Sequence, residues 1–187
     1  MTEPSYFKAL RHELGLQTVE VVVEGEKCGS APISVVNHAL ALKKTAPQSI
    51  TRGPYDRIWC VIDVEVPTPH DSLAPAIDKA KANGLDIALS NPSFEYWYLL
   101  HFEKTSALMQ SNQEVMQRLK KHHPQYKKND RTFFSIVYPN TAKAIKNSEE
   151  VLKEKHYGED LRKCNPSTHV HLVVEHLQGI AQRPCGR

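Results

Sequence analysis

The sequence predicts an α/β fold, a mainly parallel sheet flanked by helices and followed by a mostly helical C-terminal part. Three observations lead there. The run Ile58-Trp59-Cys60-Val61-Ile62 is apolar without a break, as in a strand covered on both faces. Strand and helix patterns alternate with short joins through the first hundred residues, an order that right-handed crossovers turn into a parallel sheet. Beyond Lys104 the apolar spacing is helical. The division predicts an α/β core over residues 1–104 and a helical extension over residues 105–187 packed on it.

In chain order, residues 3–14 read as a helix because Phe7, Leu10 and Leu14 recur at helical spacing and Gly15 supplies a stop. The β-branched run TVEVVV, residues 18–23, suits a strand. A loop with Gly25, Gly29 and Pro32 leads to a helix carrying Ile33, Val36 and Leu40 on one face. Residues 45–55 hold two prolines and a glycine and read as a connection. The apolar strand over residues 58–62 follows, ending at Asp63. Residues 71–83 are helical, with Leu73, Ile77 and Ala80 inward and Gly84 at the end. Residues 85–89 form the next strand, Ser90-Asn91-Pro92 turns the chain, and residues 93–102 make an aromatic helix. Helices are expected at residues 114–121, 141–155 and 168–182. The last of these places Val170, Val173, Val174 and Leu177 on one stripe behind the cap segment Asn165-Pro166-Ser167-Thr168.

The chain has 187 residues, 40% hydrophobic and 24% charged, enough to bury a core without disulfides. It contains no apolar run long enough to span a membrane and no basic-then-apolar secretory start, so no membrane partner is expected. The four cysteines form no CxxC pair and no zinc spacing, which fits a reduced, cytoplasmic compartment. GEKCGS lacks the Lys-Ser/Thr ending of a phosphate loop, and no GxSxG or Cys–His arrangement supports a nucleophilic triad. His169 and His171 would point in different directions on a helix, which argues against a metal pair there.

The net charge of +3 proves no partner, but its distribution is informative. Between residues 61 and 95, six acids (Asp63, Glu65, Asp71, Asp78, Asp86, Glu95) stand against two lysines. Between residues 118 and 131, six bases (Arg118, Lys120, Lys121, Lys127, Lys128, Arg131) stand against Asp130. One part is suited to cations and the other to a polyanion, although two solvated faces of opposite sign give the same counts.

Asp63 and Glu65 leave the most buried-looking strand at its carboxyl end, where open α/β sheets collect their functional groups. If the backbone stays extended, residues two apart point the same way and both carboxylates face one cavity. Such a pair repels unless a cation or proton separates it, and Mg²⁺ (or Mn²⁺) prefers oxygen ligands while keeping positions open for phosphate. His70, Asp71 and Glu95 are the neighbours able to complete the site. Solvated acids capping the next helix are the plainer alternative. In the block SNPSFEYWYLLHF, core packing accounts for the aromatics, and Glu95 also suits the positive end of a helix dipole. His101 lies on the aromatic face. In RLKKHHPQYKKNDR, the bases interleaved with Tyr126 suit a phosphate backbone, with Lys120, Lys121, Lys127, Lys128 and Arg131 as contacts.

Taken in order, TEPSYFKALRHEL, GSAPISVV, YDRIWCVIDVE, ALSNPSFEYWYLLHF and NPSTHVHLVVEHL make the chain resemble the RloB family, restriction-linked and abortive phage-resistance proteins with a Toprim-like domain. The resemblance covers nearly the whole chain. It implies a Toprim-like sheet and a Mg-dependent nuclease acting on DNA or RNA phosphodiesters in phage defence, often beside an ATPase encoded in the same locus. Asp63 and Glu65 match the family's acidic D-x-D/E motif, and Glu95 and His101 match its S-N-P-x-F-E-x-W block. These carry the expected catalytic (Asp63, Glu65, Glu95), metal-holding (Asp63, Glu65) and supporting (His70, Asp71, His101) roles. The family usually carries an apolar strand ending in E-G-E-K before T-E-P-x-Y-F, whereas here Met1 directly precedes Thr2. The expectation is that this strand and its glutamate are absent, and that VVVEGEK at residues 21–27, with Glu24, is a decoy. A non-catalytic partner or sensor subunit of the ATPase, or an inactive truncated homologue, is the alternative reading. Nucleic-acid binding through the basic stretch is a third.

Overall fold

In the computed structural model, residues 2–16, 29, 31–46, 54–155 and 162–183 are described. The strand expected at residues 18–23, the run 21–27 and Glu24 lie outside them. Among the described residues the architecture is mixed α/β: a three-stranded sheet in the order β1-β2-β3, surrounded by helices.

Helix α1 (Thr2–Glu13) forms because Thr2, Tyr6, Phe7 and Leu10 make one buried stripe. Gly15 ends it at φ +67°. The Gly15 N–H donates to the His12 carbonyl and the Leu16 N–H to that of Arg11, which satisfies the last helical carbonyls and buries Leu16. Helix α2 (Pro32–Thr45) starts on Pro32, whose missing N–H costs nothing at a first turn, and carries Lys43 and Lys44 at its negative end.

β1 (Trp59–Asp63) and β2 (Asp86–Asn91) pair in parallel, in a register that sets Trp59 opposite Asp86 and Asp63 opposite Ser90. Helix α3 (Leu73–Ala82) connects them, and Gly84 at φ +62° turns the chain back into β2. Cys60 and Ile62 of β1 pack with Val36, Ala39, Leu73, Ala76, Ala80 and Leu89 in one core. Trp59 and Val61 face the other way, against a larger core. Both faces of β1 are therefore covered, which is what its unbroken apolar run requires.

The second pairing corrects the expectation of a mainly parallel sheet. β3 (Ser167–Thr168) runs antiparallel to β2, with Thr168 opposite Ser90 and their hydroxyl oxygens 2.9 Å apart. These residues read in the sequence as the cap of the last helix, and they keep part of that role: the Val170 N–H donates to Thr168 Oγ1 at the start of α8 (Val170–Ala181). Extended backbone at this point also satisfies the β2 edge, so one segment serves both purposes.

The larger core is built around α4 (Glu95–Leu100), a helix buried on every side. Trp97 is fully enclosed, and truncating such a side chain to alanine costs about 3–5 kcal/mol. Around it pack Tyr6 and Leu10 of α1, Val115 and Leu119 of α5 (Asn112–His122), and Phe133 and Val137 of α6 (Phe133–Val137). Ala144 of α7 (Thr141–Glu154) and Val170 and Val174 of α8 complete it. The short α6 and the single 3₁₀ turn Tyr138–Asn140 after it were not expected from the sequence.

Candidate functional site

The carboxyl ends of β1 and β2 lie side by side, and the chain beyond them is laced together. The Val64 N–H donates to the Ser90 carbonyl and the Glu65 N–H to that of Pro92. Asp63 is the last residue of β1, and its Oδ1 is enclosed without a hydrogen-bond partner. Asn91 Oδ1, at the end of β2, and Ser93 Oγ, in the turn after it, are also enclosed and unpartnered. In open α/β sheets ligands are received at the carboxyl ends of the parallel strands, and these oxygens lie at that end.

Burial pushes the Asp63 carboxyl well above the usual carboxylate range, and the negative charges of Glu3 and Glu95 push it further. Lys128 and the Phe94 backbone N–H pull the other way. Glu3 is raised too, by burial first and also by Glu95, with its own backbone N–H and Lys128 opposing. Three carboxylates from the first turn of α1, the end of β1 and the first turn of α4 therefore share one field. Lys128 is the side-chain cation that acts on both raised groups.

Glu95 is 2% exposed, and its Oε1 receives the Thr2 hydroxyl at 3.3 Å. Lys128 Nζ lies 3.8 Å from the same oxygen, on a side chain that is 59% exposed. The Tyr126 hydroxyl, also buried without an aligned partner, adjoins Thr2 and feels the charges of Glu95 and Glu3.

Sequence reasoning missed Glu3, which stands in TEPSYFKALRHEL but carried no role there. The available signal was an acid in the first turn of a helix whose buried stripe includes Thr2. Glu65 is placed differently from its expectation. The strand ends at Asp63, and Glu65 is exposed at φ +60°, a left-handed conformation that breaks the two-residue alternation. The charges that dominate Asp63 are those of Glu3, Glu95 and Lys128. The carboxylate that joins Asp63 is thus supplied by another element rather than by the same strand.

The supporting residues separate as well. His70 and Asp71 are exposed, and the His70 Nδ1 is engaged by Ser72, 2.9 Å from its hydroxyl and 3.1 Å from its backbone nitrogen. His101 is buried, its Nδ1 2.9 Å from the Trp97 carbonyl and its ring edge-on to Trp97 at 4.8 Å. Burial lowers it to about 4, and the charge acting on it is that of Lys143. It serves the core. Lys120 and Lys121 are exposed at the end of α5, and Lys127, Lys128 and Arg131 are exposed in the loop that follows. Only Lys128 among them reaches the carboxylates.

Divalent cations such as Mg²⁺ take hard oxygen ligands, so the carboxylates are the groups to compare with a metal site. Three carboxylates in one field, one with an enclosed unpartnered oxygen, offer hard oxygen ligands and gain from a positive charge. Among the described residues, however, no three carboxylate, imidazole or thiol side chains already converge on a single point as metal ligands do. In this conformation Lys128 supplies the positive charge beside Glu95.

A family model described as RloB-like protein matches residues 1–177 of the chain. No curated protein and no solved structure matches it.

Proposed function

The chain belongs to the RloB-like family, and from that premise we propose that it is a metal-dependent nuclease of the Toprim type, cutting nucleic-acid phosphodiesters in phage defence. The observation that carries this reading is Asp63. An enclosed carboxylate oxygen without a partner ends a buried parallel strand, with the charges of Glu3 and Glu95 acting on it. Families of this kind imply Mg²⁺ or Mn²⁺, and Asp63, Glu95 and Glu3 are the residues that would hold it. When bound, such an ion would offset the negative charge that develops on a phosphodiester as it is cut.

The chain's own residues divide the remaining work. The β1–β2 register fixes Asp63 against the turn that leads into Glu95, so these two carboxylates are held by rigid elements. Thr2 ties Glu95 to the first turn of α1, the turn that also carries Glu3. Lys120, Lys121, Lys127 and Arg131 provide an exposed basic approach for the backbone of DNA or RNA. Glu65 and His70 stand at the surface and are left for substrate contact.

The test is cleavage of supercoiled plasmid and of single-stranded RNA by the full-length chain with Mg²⁺ or Mn²⁺. Activity that Asp63→Asn and Glu95→Gln each reduce by a hundredfold or more supports the reading. Cleavage that survives both substitutions refutes it.

One observation favours a second reading. Because the carboxylates do not converge on one point, the chain also suits a non-catalytic subunit that docks a defence ATPase in the cytoplasm. That role requires no divalent-ion binding through Asp63, which calorimetry with Mn²⁺ measures directly.

A further inference from the structure

The segment between α5 and α6 is a short arch whose two feet are fixed and whose middle is not. At one foot the buried Tyr126 ring lies 4.5 Å from that of Phe133 and 6.0 Å from that of Tyr98, and the Tyr126 N–H donates to the His123 carbonyl. At the other, Asp130 Oδ1 accepts from the Thr132 N–H at 2.8 Å and from its hydroxyl at 2.7 Å. Lys127, Lys128 and Asn129 span the gap, all exposed. The chain turns there, with Asn129 at φ +69° and the Asp130 N–H donating to the Lys127 carbonyl at 3.1 Å. Asparagine is among the few residues that take this left-handed conformation at small cost.

Two contacts hold that middle down, and both lead to one buried carboxylate. Lys128 Nζ lies 3.8 Å from Glu95 Oε1. Asn129 Oδ1 lies 3.4 Å from the Thr2 hydroxyl, which is itself 3.3 Å from the same Glu95 oxygen. Thr2 and Glu95 are enclosed, while the three residues of the arch face solvent. A hydroxyl has one proton and donates to one oxygen at a time, so Thr2 is shared between arch and carboxylate. When Asn129 leaves, the hydroxyl turns wholly to Glu95 and offsets part of the loss of the ammonium. The segment thus has two arrangements with comparable hydrogen bonding, as a moving strap requires. Its charge says what would pull it. Lys127, Lys128 and Arg131 are exposed, and the one acid among them, Asp130, is engaged by Thr132. An ion pair 3.8 Å long, made by a mostly exposed lysine, is weak enough for a competing anion to win.

We propose that the arch is a strap closed over Glu95 by Lys128 and Asn129, and that a phosphate chain opens it by drawing the Lys128 ammonium away from the carboxylate. An anion with several phosphates meets Lys127, Lys128 and Arg131 together on the outer side, whereas Glu95 offers Lys128 a single long contact within. Opening uncovers Thr2 and Glu95 and needs no metal ion. The strap is independent of the proposed function, since its contacts are the same whether or not the chain cuts nucleic acid. Its effect on that function would be to admit substrate to Glu95 only where a phosphate backbone is already at hand.

The test is labelling of Thr2→Cys by iodoacetamide, a neutral reagent, in the full chain, with the labelled position located by mass spectrometry. Thr2→Cys, Thr2→Cys/Lys128→Gln and Thr2→Cys/Lys128→Arg are compared, each alone, with tripolyphosphate, with a single-stranded oligothymidylate, and with sodium chloride at the same ionic strength. Lys128→Gln is expected to speed labelling about fivefold, the ratio that one half-exposed ion pair supports. Removing a nearby positive charge by itself makes a thiol less reactive, so a gain reports uncovering. Lys128→Arg should stay near Thr2→Cys alone. Tripolyphosphate and the oligonucleotide should speed labelling of Thr2→Cys and add little once Lys128→Gln is present. A response to one of them alone names free polyphosphate or nucleic acid as the opener. In the otherwise unsubstituted chain, either anion should speed amide exchange of residues 127–130, and Lys128→Gln should do so without them. Labelling unchanged by Lys128→Gln, or exchange unmoved by both anions, overturns the strap and leaves the proposed function standing. Sodium chloride as effective as the phosphates overturns phosphate as the opener.

Discussion

The Thr2 hydroxyl and Glu95 Oε1 meet at 3.3 Å across 93 positions of sequence, joining the first turns of α1 and α4 inside the protein. Both residues are nearly inaccessible, at 3% and 2% exposure. Replacing Thr2 with Val keeps the shape and removes the donor, leaving a buried carboxylate with one contact fewer. Urea unfolding should show a loss of about 1–2 kcal/mol. A change below roughly 0.3 kcal/mol would mean that the bond contributes nothing to the fold.

Asp63→Asn should gain stability relative to the wild type as pH rises, in the metal-free chain, while removing the carboxylate on which the proposed function rests. The sign follows from its raised carboxyl: in the window above the unfolded value the native chain holds a proton that the unfolded chain has released, so wild-type stability falls as pH rises through it. The advantage of the amide should therefore be larger at pH 7 than at pH 4. Thermal melting at the two pH values, without divalent ions, measures it. A difference between variant and wild type that is the same at both pH values would show that the carboxylate is satisfied after all.

Acid should unfold the chain through its buried histidines. His101, His169 and His171 are each lowered to about 4, in every case chiefly by burial, with His171 also disfavouring charge on His169. Their contribution is fully present above the unfolded value near 6.5 and is lost as pH falls towards 4. With all three taking up protons only on unfolding, the slope reaches about 4 kcal/mol per pH unit. His171→Gln keeps a polar group beside the Ser148 hydroxyl, 3.0 Å from the ring Nδ1 in the wild type, and should reduce that slope. An unchanged slope would place the acid sensitivity elsewhere.

The exposed bases should act on polyanions through charge alone. Changing Lys120, Lys121, Lys127 and Arg131 together to Gln should leave folding intact, because none of them is buried. Affinity for single- and double-stranded nucleic acid should fall, and the salt dependence should flatten by up to about four in the log–log slope. Filter binding across a salt series reads both quantities. If neither moves, the basic stretch is only a solvated face.

The sequence carried the secondary structure wherever one residue pattern determined it. The strand ending at Asp63, the helix begun by Pro32 and the stripe of α8 are all local. β3 was hidden because two residues make no periodic pattern and Ser167-Thr168 fits a cap equally well; only the edge of β2 decides between them. The site was legible in part for the same reason. Asp63 and Glu95 stand out beside a strand and a helix, but which carboxylate accompanies Asp63 depends on the dihedral angle of Glu65 and on the docking of α1. The spacing of two residues suggested Glu65, whereas the left-handed turn at that position sends it outward. Lys128 was visible only as one of several bases, since its approach to Glu95 is a contact between distant parts of the chain.

The four ionisable groups of the site come from positions 3, 63, 95 and 128, and the strand that seals β2 comes from positions 167 and 168. A ribosome emits these pieces over most of the length of the message. The first carboxylate must wait, solvated, until the last pieces emerge and dock. Contacts so distant along the chain close slowly. A nascent fragment ending before residue 128 has the acids but not the lysine that approaches Glu95.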